Sequence, residues 1–185
     1  TAVPDEGYSF ESWSDGNTDN PRTITVNNNI GLSVKFSVNS YKLKYVLNGI
    51  EYKIVTVEYG AKISPEAKPT TEGYTFSGWS EIPETMPAHD VTVNGSFKVN
   101  SYSLKYIVDG AEYKTVTVEY GAKISPEVEP TKEGYMFSGW SEIPEIMPAH
   151  DVTVNGSFQV NSYSLKYIVD GAEYKTVTVD YGAKI

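Results

Sequence analysis

A block of 61 residues is written almost twice in immediate succession. Asn39 to Val99 returns at Asn100 to Val160 with 49 of 61 positions unchanged, and a third copy opens at Asn161 and runs to Ile185. EGYSFESW at Glu6 to Trp13 also matches EGYTFSGW at Glu72 to Trp79 and EGYMFSGW at Glu133 to Trp140, so Thr1 falls inside a copy. A fixed period of this length is the signature of a tandem array, in which each unit is one small fold and function belongs to the assembly. The period overrides the single-domain expectation for 185 residues,. It divides the chain into a divergent second half over 1–38, full repeats over 39–99 and 100–160, and a first hairpin over 161–185. A competing phase, with units closing after each GAKI, divides it as 1–63, 64–124 and 125–185.

Units of this size are hard to stabilise, because a 60-residue domain buries only about 60% of the surface its unfolded chain exposes. The chain has no cysteine, so disulfides give no help, and thiol catalysis and cysteine-ligated metals are excluded,. Aromatic residues make up 13% of the chain and supply bulk for a small core,. The net charge of -9 and the single arginine, Arg22, argue against nucleic acid, whose binding depends on cationic side chains displacing counterions,. The charge is -3 over 1–38, -1 and -5 over the two full repeats, and 0 over 161–185, so no single charged stripe runs along the array. No run of 18 apolar residues is present to span a membrane, and no basic and apolar leader stands at the start,. With both ends inside a repeat, the sequence reads as a fragment of a longer protein.

Within one repeat, Tyr102, Leu104, Tyr106 and Val108 alternate with Ser103, Lys105 and Ile107, the period of a half-buried strand,. Asp109-Gly110 marks a hairpin turn, as do Asn48-Gly49 and Asp170-Gly171,. The return strand carries Val116, Val118 and Tyr120 on one parity. A strict two-residue turn sets Val116 opposite Ser103 and sends the two apolar sets to opposite faces. One extra residue, in an Asp109-Gly110-Ala111 loop or in a bulge near Lys114, pairs Leu104 with Val116 and Tyr102 with Val118 instead. Pro126 and Pro130 then leave room for at most one helical turn,. Gly134 to Trp140 reads as a short third strand, Pro144 to Pro148 as a second linker, and Asp151 to Val160 as a fourth strand broken at Asn155-Gly156.

The order YxLxYxVDGxxY, VxYGxxI, PxxEGYxFxGW and MPAHDVTVxGSF resembles the Listeria-Bacteroides repeat family, related to the B-repeat of internalin-type proteins. The resemblance covers essentially the whole chain. It implies a mainly β fold: tandem, small β-grasp-like (ubiquitin- or SUMO-like) modules with the helix reduced or absent, in an elongated array. It also implies an extracellular, cell-surface setting in bacteria, beside adhesive domains. The first copy departs from the pattern, reading SDGNTDNPRTITV after Trp13 where the later copies read SEIPETMPAHDVTV, with five more residues before Tyr41.

Little in the repeat points to chemistry. His89 and His150 each precede an aspartate in MPAHD, but no nucleophile or third orienting group accompanies them, so they read as part of a turn capped by Asp90 or Asp151,. Asp15, Asn17 and Asp19 match the first three spacings of a calcium loop, but Asn20 stands where glycine is needed and Val26 where the bidentate glutamate belongs,. Trp13, Trp79 and Trp140 read as core anchors, with sugar-stacking platforms as the alternative. No catalytic, cofactor or metal site is expected. The expected function is a non-catalytic spacer or stalk in adhesion, and the alternative is an adhesive module that binds host or bacterial surface protein or glycan through repeated weak sites. The incomplete end repeats further predict head-to-tail self-association through open sheet edges.

Overall fold

The computed structural model describes all 185 residues as twelve strands and no helix. The strands are β1 (Tyr8–Trp13), β2 (Val34–Val38), β3 (Ser40–Leu47), β4 (Ile50–Glu58), β5 (Tyr74–Trp79), β6 (Val91–Val99), β7 (Ser101–Val108), β8 (Ala111–Glu119), β9 (Tyr135–Trp140), β10 (Val152–Val160), β11 (Ser162–Val169) and β12 (Ala172–Asp180). The chain divides into two compact units, Thr1–Thr70 with Phe76–Lys98 and Thr71–Thr75 with Val99–Ile185.

Two four-stranded sheets recur in the orders β4-β3-β6-β5 and β8-β7-β10-β9, and two-stranded sheets are formed by β1-β2 and β11-β12. In each larger sheet the two central strands run parallel, with Leu43 beside Val91 and Leu104 beside Val152, and the hairpin strand pairs antiparallel outside them. This mixed order, with the first and last strands of the unit adjacent at the centre, is that of a β-grasp sheet.

The hairpins show how alternation and turn geometry are reconciled. Asp109 and Gly110 both take positive φ, 51° and 82°, which gives a tight turn whose twist suits the flanking strands,. Leu104 pairs with Val116 and Tyr102 with Val118, and the parity is restored by a bulge where Tyr106 faces Lys114 and Ile107 faces Glu112,. The extra residue is therefore Tyr113, and both expected apolar sets share one face. The same register and bulge recur in β3-β4 and β11-β12.

No helix covers the apolar face. Two extended straps do so, held together by backbone bonds from Ile63 N–H to the Glu84 carbonyl (2.9 Å), Met86 N–H to the Ala61 carbonyl (2.9 Å) and Gly60 N–H to the Met86 carbonyl (2.8 Å). Pairing satisfies the backbone polar groups that the prolines prevent a helix from satisfying. It also delivers Ile63 and Met86 onto Leu43, Tyr45 and Val93 as one buried cluster. Ile124, Met147, Leu104, Tyr106 and Val154 form its twin.

One sequence expectation fails. Asn155-Gly156 does not end the fourth strand: β10 continues through it as one strand, and the irregularity there is a register shift against β9 between Gly156 and Phe158. A Cβ at Gly156 would lie 2.3 Å from the Phe137 ring and 3.0 Å from that of Trp140, so the glycine is a flat seat for aromatic rings, not a turn,. The first copy also departs from its successors, since β2 starts only at Val34 and leaves Ile24 and Val26 exposed outside any strand.

Candidate functional site at the repeat junctions

Between the last strand of one copy and the first strand of the next stands a single residue, Asn39, Asn100 or Asn161. Each asparagine is bonded on both sides. Asn39 N–H donates to the Gly7 carbonyl (2.8 Å), and its own carbonyl accepts Tyr59 N–H (2.8 Å). Asn100 does the same with Gly73 (2.8 Å) and Tyr120 (2.9 Å), and Asn161 with Gly134 (2.9 Å) and Tyr181 (2.8 Å). One residue thereby ties the EGY turn of one copy to the closing end of the next copy's hairpin.

An aromatic contact accompanies the bonds. Gly7, Gly73 and Gly134 have φ of 80°, 75° and 76°, and the rings of Tyr59, Tyr120 and Tyr181 lie directly on them. A Cβ would come within 2.2, 2.1 and 2.0 Å of those rings, so the position demands glycine for both backbone and contact,. The neighbouring tyrosine meets each ring edge to face: Tyr8 with Tyr59 at 5.9 Å, Tyr74 with Tyr120 at 5.8 Å and Tyr135 with Tyr181 at 6.4 Å,. Ser9 and Thr75 hydroxyls add bonds of 2.6 Å to the Asn39 and Asn100 side chains, where the third junction has Met136 and, nearby, Lys132 at 4.0 Å over the Tyr135 ring. The three junctions are thus one device built three times from recurring residues. Sequence reading assigned these glycines and tyrosines to separate motifs; the shared period of EGY and EYG was the signal that they meet.

The residues weighed for chemistry have other partners. Trp79 donates its indole N–H to the Glu66 carbonyl (3.1 Å), and its ring contacts Tyr45, Tyr52 and Phe76 at 5.0, 5.8 and 4.9 Å. Trp140 repeats this with Glu127, Tyr106, Tyr113 and Phe137. Both tryptophans pack against the buried clusters, as core anchors do. Trp13 donates to the Asp19 carbonyl at 2.9 Å. Asp90 and Asp151 accept the backbone N–H groups of Lys42 and Ser103 at 2.7 Å, and so fasten the fourth strand to the start of the first. His89 and His150 are exposed, each with Nδ1 near the carbonyl of the following aspartate.

In the first copy's long loop, Asp15 holds Arg22 through both carboxylate oxygens at 2.8 Å. That bond, with help from Asn17 N–H, lowers the Asp15 carboxyl to about 2,. Asn17 and Asp19 are engaged by each other, Asn17 Nδ2 donating to Asp19 Oδ2 at 3.4 Å and Asp19 N–H to Asn17 Oδ1 at 2.9 Å. The loop closes on an arginine, and no group of three or more metal-ligating side chains is assembled anywhere in the chain.

The Listeria-Bacteroides repeat domain matches residues 41–98 and 102–157, and a divergent InlB B-repeat domain matches residues 1–40. The chain belongs to the Listeria-Bacteroides repeat family. Among its relatives is internalin H of Listeria monocytogenes, 33% identical over 127 residues, which cover 58% of this chain and 23% of the relative. A protein of Evansella cellulosilytica named as a Gly-rich membrane protein is 24% identical over 190 residues, covering 90% of this chain and 22% of that one. The chain thus spans about a quarter of the length of these relatives. Tandem repeat domains 3-4 of a streptococcal cell surface protein align with 66% of this chain and 98% of theirs at 15% identity and a TM-score of 0.32. In this chain the Listeria-Bacteroides repeats are helix-free, mixed β units.

Proposed function

We propose that this repeat array is a non-catalytic spacer in a secreted or cell-surface bacterial protein, carrying more specialised domains by adding units in line. The observation that carries this reading is the junction. Each border is closed by an asparagine bonded on both sides and a tyrosine seated on a glycine, so a unit can be added without designing a new interface,. The kinship with an internalin supports the setting. Deleting Asn100 to Val160 from the parent protein tests it: attachment strength should be unchanged while reach shortens by one unit.

A second reading, an adhesive array that binds surface protein or glycan, is favoured by one observation. The second repeat exposes Val128, Met136 and Ile146 where the first has Ala67, Thr75 and Thr85, and such changes suit contact with a protein more than with water,. If the same deletion lowers attachment steeply while reach is restored by an unrelated linker of equal length, the adhesive reading replaces the spacer.

A further inference from the structure

The path of the chain through a repeat fixes how a pull on it is carried. The first full repeat is entered at the start of β3 and left at the end of β6, and these two strands lie side by side and parallel at the centre of the sheet. Tension along the chain therefore draws β3 towards its N-terminal end and β6 towards its C-terminal end, in opposite directions along their shared ladder. Leu43 to Leu47 face Val91 to Gly95 as five consecutive pairs without a register shift. Bonds of a parallel ladder are evenly spaced along the strands, so a sliding pull loads them together and they fail as a group, whereas a pull from one end breaks them singly. The segment from Asn48 to Asp90 hangs between the two strands and bears no tension while the ladder holds.

Side chains fasten both ends of this ladder. Asp90, one residue before β6, accepts the Lys42 N–H at 2.7 Å. Asn48, one residue after β3, donates its own N–H to the Gly95 carbonyl (3.0 Å) and accepts the Phe97 N–H on Oδ1 (3.0 Å). The second repeat carries the same latches on the β7-β10 ladder: Asp151 with Ser103 (2.7 Å), and Asp109 with Gly156 (3.1 Å) and Phe158 (3.0 Å). Leu43, Tyr45 and Val93 lie buried with Ile63 and Met86 of the straps, so water, which competes for stretched backbone bonds, is kept from that face,.

We propose that each full repeat is a force-bearing clamp, which resists lengthening under tension until its central parallel ladder shears as a unit. Only the source of the tension rests on the spacer reading. The single residue Asn100 separates β6 from β7, so a pull passes from one clamp to the next without a slack linker. The turn residues Asn48 and Asp109 and the aspartates of MPAHD serve as latches at the two ends of each clamp.

The test is single-molecule pulling of the 185-residue chain, which has no cysteine of its own, so handles attach at introduced pairs. Ser40→Cys with Lys98→Cys pulls the first repeat along the ladder, and Lys42→Cys with Thr92→Cys pulls it across the ladder from one end. At the same loading rate the first geometry should need a severalfold higher force. It should give one rupture releasing about 170 Å, the extended length of the enclosed residues less their folded span. Asp90→Ala and Asn48→Gly should each lower the shear force, and Asn48→Asp, which restores the acceptor that Asp109 supplies in the second repeat, should recover it. Asp151→Ala, in the other clamp, should leave it unchanged. Asn48 lies at the far end from the second pair of handles, so Asn48→Gly should leave the force across the ladder unchanged, as a general loosening of the fold would not. Equal forces along and across the ladder, gradual lengthening in place of one rupture, or a shear force indifferent to both Asp90→Ala and Asn48→Gly overturns the proposal. Such a failure is distinct from failure of the spacer reading, which is decided by attachment and reach after deletion of Asn100 to Val160 and not by force.

Discussion

The hairpins β7-β8 and β11-β12 differ by one methylene in sequence, yet one lies in a core and the other lies open. Turn, bulge and strand register are the same in both, so they are local properties of about 25 residues,. Burial is not local. It arises only when a second half brings Met147, Val154 and the strap residue Ile124 onto Leu104 and Tyr106. The hairpin is a template, and stability resides in the union of the two halves.

The comparison breaks most visibly at its leucines. Leu104→Ala should destabilise the second repeat by about 3 kcal/mol in denaturant unfolding followed by Trp140 emission, from lost burial and the cavity left behind. Leu165→Ala should cost less than about 0.5 kcal/mol, as open-surface changes do. Equal costs would mean that the third hairpin is sealed in solution.

Two glycines sharpen it at an intermediate level. Gly134 and Gly121 have nearly the same φ, 76° and 74°, but only Gly134 has a ring on it, Tyr181, whereas nothing lies within 4 Å of a Cβ at Gly121. Gly121→Ala should cost about 1 kcal/mol for backbone strain alone. Gly134→Ala adds an overpacking cost of about 1–3 kcal/mol and should displace the Tyr181 ring, visible as loss of its cross-peaks to Tyr135.

The smallest difference expected is electrostatic. Glu112 accepts from the Thr115 hydroxyl and pairs with Lys105, and Glu173 accepts from Thr176 and pairs with Lys166, so both carboxyls titrate below the ordinary glutamate range. A lowered folded-state value means that each contribution is present above the unfolded glutamate value and is lost as pH falls through the folded one. Because all partners lie within the hairpin, side-chain titration by NMR should show the two glutamates moving together, sealed or open. Asp15 should hold its charge until pH nears 2, so contacts of the 14–33 loop should persist to lower pH than those of the hairpins, as amide exchange would show.

Much of this organisation was legible in the sequence. Parity favoured Leu104 facing Val116 but left open a longer loop or a bulge near Lys114 as the source of the extra residue, and the bulge at Tyr113 supplies it. The straps were not legible, because Ile63 and Met86 lie in proline-rich runs with no period, and their place depends on pairing between two irregular segments. Gly156 was misread because an Asn-Gly pair resembles a turn until the rings of Phe137 and Trp140 are seen on it. At the junctions, each residue sat in a recognisable motif, but the contact joins motifs more than 45 residues apart, as with Gly134 and Tyr181. The partner of Asp15 was not legible either: its spacing to Asn17 and Asp19 resembles the start of a calcium loop, whereas its carboxylate holds Arg22.

The single asparagine between successive copies also bears on cleavage. Proteases cut where several consecutive residues can be drawn out into an active site, and a border of one residue with both backbone groups bonded provides no such stretch,. Digestion should therefore ignore the borders that define the repeats and begin in the loop between Trp13 and Val34, the longest stretch without a strand in the chain.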